Sequence, residues 1–112
     1  MKVSDVAENS AFKILNLADD AKEREIKTVY CCDLLSIAMS RMTDAAVWVT
    51  VMSNMNTLAV ASLTDASCVI LAEGVAADEG MLAKAKEQQI SLFQTDLPVF
   101  EAASLMGKEL GL

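Results

Sequence analysis

YCCDLLSIAMSRMTDAAVWVTVMSNMN, residues 30–56, decides the fold. It reads as the end of a strand, a helix opened by Asp33, a second strand through Val47-Trp48-Val49, and a polar step into another helix. A strand, a helix and a strand in that order require a crossover between parallel strands. Such a crossover delivers Asp33 and Thr50 to the same edge of a sheet, where ligands of open parallel sheets bind.

Outward from that stretch the alternation of elements continues. Toward the amino end, Ile26 to Cys32 alternates, with Ile26, Thr28, Tyr30 and Cys32 on one face and Lys27, Val29 and Cys31 on the other. Asn16 to Glu25 is polar and reads as a surface turn. Phe12 to Leu15 reads as a short strand, and Ser4 or Asp5 as the cap of a short helix. In the helix after Asp33, the positions Leu34, Leu35, Ala38, Met39 and Met42 form one apolar face. Ala45 to Val51 is an apolar run expected of a strand covered on both faces.

An alanine-rich helix then runs to about Leu63, and Cys68 to Leu71 is a further buried strand. Asp78 is expected to cap the helix through Met81, Leu82 and Ala85. Ile90 to Phe93 is the last strand. Thr95 or Asp96 is expected to cap a final helix with Pro98 in its first turn and a buried stripe of Val99, Ala102 or Ala103, Met106 and Leu110. The expected architecture is a single α/β domain with a mainly parallel sheet of four to five strands flanked by helices.

Composition sets the remaining bounds. A chain of 112 residues, 54% hydrophobic but only 4% aromatic, builds its core from aliphatic residues and seven methionines, which read as gap-fillers. A net charge of -7 argues against nucleic acid and anionic lipid as partners. No run of 18 apolar residues and no secretion signal appears, so no membrane partner and a cytoplasmic location are expected.

Three cysteines without CxxC spacing and an absence of histidine leave no metal site. Cys31, Cys32 and Cys68 read as small buried hydrophobes, with a redox-active thiol as the alternative. The four glycines form neither phosphate-loop nor dinucleotide fingerprint, so no cofactor is expected, and no catalytic residue or acid/base pair can be assigned.

What remains is a polar rim at the strand ends: Cys32-Asp33, Thr50 to Asn56, Glu73-Gly74 and Gln94-Thr95-Asp96. Its hydroxyls, amides and carboxylates suit hydrogen bonding to a base or a sugar. Asp33, Thr50, Asn54 and Asn56 are the candidate ligand-binding residues. Asp33, Asn54, Asp78 and Asp96 also have a purely structural reading as helix caps.

Several of these segments resemble one family. Glu23-Arg24-Glu25-Ile26 leading into Tyr30-x-x-Asp33-Leu34-Leu35-Ser36, then Trp48-Val49-Thr50, Asn56-x-x-Ala59-Val60-Ala61-Ser62 and Lys84-Ala85 before Ile90 resemble the small stand-alone proteins of the DRTGG domain family. That domain is similar to the amino-terminal domain of HPr kinase and accompanies CBS domains in regulated pyrophosphatases. The resemblance implies a non-catalytic regulatory module, a homodimer, and an adenine nucleotide as the small-molecule ligand. One departure is that Thr28-Val29 stand where the family motif has paired glycines, with Glu23 in place of its leading aspartate. A protein-interaction subunit without a ligand, using the low-charge, methionine-containing stretch 45–63, is the alternative function.

Overall fold

A computed structural model describes all residues 1–112. The chain runs α1 (Val3–Glu8), β1 (Lys13–Asn16), β2 (Thr28–Cys31), α2 (Leu35–Arg41), β3 (Ala46–Thr50), α3 (Met55–Leu63), β4 (Cys68–Leu71), α4 (Glu79–Gln88), β5 (Leu92–Gln94) and α5 (Val99–Glu109). The strands form one five-stranded sheet in the order β1-β5-β4-β3-β2. Strands β2 to β5 are parallel, and β1 joins β5 antiparallel. The expected mainly parallel α/β architecture is therefore the observed one.

The crossovers β2-α2-β3, β3-α3-β4 and β4-α4-β5 all step in the same direction across the sheet. With a common handedness they place α2, α3 and α4 on one face. There Ala38, Met42, Leu58, Ala61, Met81 and Ala85 pack against Trp48, Val69, Leu71 and Leu92. The other face is covered from the two ends of the chain, with Val3 and Val6 of α1 and Ala102 and Met106 of α5 against Val47, Val49, Ile70 and Phe93. Alternate residues of β3 and β4 thus enter opposite cores, and every residue of both strands is buried.

Several local expectations give way to tertiary ones. Ile26 packs in the same core as Val29 rather than opposite it, because β2 begins only at Thr28 and the alternation does not extend back to residue 26. Leu34 and Met39 lie on the outer side of α2, 54% and 42% exposed, while Ala38 and Met42 fill the inner side. Within the turn of residues 16–25, Ala18 and Ala21 are buried.

The capping pattern separates local from non-local partners. Asn54 and Asp78 cap their helices as expected, accepting from Asn56 and Thr57 amides and from the Met81 amide. Neither Ser4 nor Asp5 is the cap of α1; Lys2 holds that position, and Asp5 accepts from its amide. Asp33 does not cap α2, whose cap position is Leu34 with no side-chain bond. Neither Thr95 nor Asp96 caps α5. Its first amide, on Val99, donates to Glu73 Oε2 at 2.9 Å, a carboxylate delivered from the end of β4.

Glu73 and Gly74 both lie in the left-handed region, at φ 61° and 71°. This kink brings the β4 exit beside the β5 exit, where the Glu73 and Gly74 amides donate to Leu97 and Thr95 carbonyls. A side chain at Gly74 would also meet Asp96 Oδ1 at 3.2 Å. Replacing Glu73 by alanine removes the only side-chain acceptor for the start of α5. We expect a loss of about 1 kcal/mol in urea unfolding, with an unchanged slope.

Candidate functional site

The carboxyl edge of β2, β3 and β4 is closed by side chains that follow each strand. Asp33 comes two residues after β2, and its Oδ1 accepts from the Thr50 hydroxyl at 2.7 Å and the Val51 amide at 2.9 Å. Thr50 is fully buried, so its hydroxyl needs this partner, and its oxygen accepts in turn from the Met52 amide at 3.2 Å. The Thr57 hydroxyl donates to the Met52 carbonyl at 2.7 Å. Asn54 Oδ1 holds the first amides of α3 at 2.9 and 3.3 Å.

Further along the edge, the Ser53 hydroxyl donates to the Ala76 carbonyl at 2.5 Å, and Gln94 Nε2 donates to the Val75 carbonyl at 2.7 Å. The loops after β2, β3, β4 and β5 are thereby joined in one hydrogen-bonded series.

Asp33, Thr50, Asn54 and Asn56 thus all lie on one edge of the molecule, around the β3–α3 loop. Their chemistry differs from one another. Thr50 is sealed beneath Asp33 and presents nothing to solvent. The second carboxylate oxygen of Asp33, the amide nitrogen of Asn54 and the whole carboxamide of Asn56 make no bond within the chain and are exposed.

No concavity opens among these four residues. The carboxyl edge has its hollow, of about 220 Å³, at the far side, lined by Ser10, Ala11, Lys13, Gln94, Thr95 and Asp96. Gln94 to Asp96 were legible as strand-end residues. Ser10 to Lys13 were not, because only the antiparallel pairing of β1 with β5 brings them there.

A second polar hollow, of about 90 Å³, lies at the opposite edge of the sheet. Its guanidinium, Arg24, is engaged by the Asp65 carboxylate at 2.7 Å and by the Asp65 and Ala66 carbonyls at 3.0 and 3.1 Å. It ties the end of α3 to the segment before β2, and the carboxylates of Asp65 at 2.7 Å and Asp20 at 3.8 Å offset its charge. Thr28-Val29 pair with Ala46-Val47 at the start of β2, at the other end of that strand from Asp33. Side chains at the position of the family's paired glycines therefore leave this rim untouched.

The cysteines divide. Cys68 is fully buried, as expected, and burial pushes its thiol up to about 12. Cys31, expected to be buried, is exposed because β2 is an edge strand. Its thiol is nonetheless held above the ordinary value, first by partial desolvation and then by the Asp33 and Cys32 charges. The Tyr30 hydroxyl is also raised, by desolvation and then by Cys32. All three thiols are free, and no group of three potential ligands is placed to hold a metal ion.

Compared with known proteins, the sequence matches no family model and no curated protein. Its fold does match a solved one. The crystal structure of the CBS and DRTGG domains of the regulatory region of Clostridium perfringens pyrophosphatase, complexed with the activator diadenosine tetraphosphate, aligns with 94% of this chain at a TM-score of 0.76. The chain spans 45% of that protein's solved length, and the two are 14% identical. At that identity the likeness is one of fold: a CBS- and DRTGG-like α/β domain. No helix is long and apolar enough to cross a membrane.

Two measurements check this geometry. Asp33→Ala leaves a buried hydroxyl and an amide without their acceptor and is expected to destabilise by about 2 kcal/mol, whereas Asp33→Asn keeps Oδ1 and costs less. Raised thiol values mean less thiolate at any given pH, so reactivity falls. With Ellman's reagent at mildly alkaline pH, Cys31 should react slowly and Cys68 only after unfolding.

Proposed function

We propose that this chain is a non-catalytic regulatory module of the DRTGG type that binds a small molecule, an adenine nucleotide, at the carboxyl rim and works as a homodimer. The observation that carries the reading is the rim itself. Asp33 Oδ2, Asn54 Nδ2 and the Asn56 carboxamide stand unpaired along one edge of a frame otherwise closed by hydrogen bonds. The two most specific segments of the family resemblance, Asp33 to Ser36 and Asn56 to Ser62, start at this same rim. The fold likeness to a regulatory region solved with a dinucleotide activator supports the same reading.

The chemistry of the rim selects which part of a nucleotide it holds. Two carboxamides and a carboxylate offer donors and acceptors to a base edge or to ribose hydroxyls. A phosphate finds little there, because Asp33, Glu73, Asp78 and Asp96 all follow strand ends and Lys13 is the one cation lining the edge's hollow. Affinity therefore comes from the nucleoside, and phosphates extend toward solvent. Nothing in the arrangement places a nucleophile beside a base, which accords with sensing rather than turnover.

Isothermal titration calorimetry with adenosine, its mono-, di- and triphosphates and diadenosine tetraphosphate tests this. Binding tighter than millimolar, with adenosine retaining most of the affinity, is the expected result. Asn56→Ala should weaken it about tenfold without shifting the melting temperature, since the side chain has no partner inside the protein. Absence of binding across the whole series would remove the reading.

A further inference from the structure

The outer face of α5 has the makings of a contact that the single chain does not complete. Leu97, Phe100, Glu101, Ser104, Leu105 and Lys108 recur at three- and four-residue steps and line an open groove of about 300 Å³. Phe100 is 79% exposed, although Ala102 and Met106 on the inner face already seat the helix on the sheet. Gly107 lies within the helix, where glycine is less favourable than alanine, and a Cβ there would meet no atom of this chain.

The helix runs to Glu109. Gly111, at φ 75°, closes it in a Schellman motif, with the Leu112 amide on the Gly107 carbonyl at 2.8 Å and the Gly111 amide on the Lys108 carbonyl at 3.1 Å. The residue in the position of Leu112 ordinarily packs on the side chain at the position of Gly107. Glycine has none, and Leu112 stays 73% exposed.

We infer that this face binds the same face of a second copy, α5 lying antiparallel to α5 about a two-fold axis between Ser104 and Leu105. The charges are what single out a second copy. About that axis Glu101 of each chain faces Lys108 of the other, so both ion pairs form at once, while a parallel arrangement would set Glu101 against Glu101. The same symmetry sets the half-buried Leu97 opposite Leu112, which is 73% exposed. Ser104 and Gly107 are small enough for the two helices to approach closely, and Phe100 lies in the groove so formed. This inference rests on the homodimeric reading and supplies its surface.

Sedimentation velocity on the full chain is the test. The wild type should sediment as twice the 12.0 kDa of one chain. F100D should raise the dimer dissociation constant about a hundredfold. E101K should raise it about tenfold, and the double exchange E101K/K108E should bring it back to within about threefold of the wild type, because the pairing is re-formed with signs reversed. All are exposed positions, and unchanged circular dichroism confirms that the fold is intact. A wild type that stays monomeric at its highest soluble concentration overturns both the dimer and this surface. A dimer indifferent to F100D and E101K overturns the surface alone, and nucleotide binding by calorimetry is read independently of either.

Discussion

The pairing of β3 with β4, buried on both faces, is the constraint to which everything else in this fold answers. Nine strand residues with no solvent contact require apolar cover above and below. Three crossovers stepping the same way supply one cover with α2, α3 and α4. They cannot supply the other, so the two ends of the chain must, through α1 and α5. The position of α5, and therefore of its outward stripe, follows from that need.

The same constraint shapes the rim. Parallel strands bring their exits to one edge, and the chain leaving each strand must satisfy polar groups next to a dry core. Asp33, Thr50, Ser53, Asn54, Glu73 and Gln94 are mostly spent on this task, joining each loop to the next. The result is a rigid frame with few free polar atoms. Those few are uncharged amides and one carboxylate.

Much of this was legible beforehand, and the particular residues show why. Asn54 and Asp78 were readable as caps because their partners are two or three residues away, within reach of local pattern. Asp33 looks identical by that pattern, yet its partners lie 17 and 18 residues on, across the ladder. Glu73 caps a helix 26 residues later, for which no local signal exists. By its low charge, the stretch 45–63 reads as an interaction surface. Its apolar residues are mostly the core itself, and the exposed aromatic is Phe100 on α5.

The sequence by itself determined the alternation of strands and helices, the parallel sense of the sheet, the buried character of β3 and β4, and the gathering of Asp33, Thr50, Asn54 and Asn56 at a common edge. These follow from periodicity and crossover geometry, which act over a few residues to a few tens. Only the tertiary structure decided that β1 closes the sheet antiparallel, that Asp33 bridges to Thr50 instead of capping a helix, that Cys31 is exposed on an edge strand, and that the rim's hollow lies at Lys13 and Asp96. Each of these depends on which distant segments become neighbours, and that is set by how both faces of one sheet are covered at once, a condition no single stretch of chain contains.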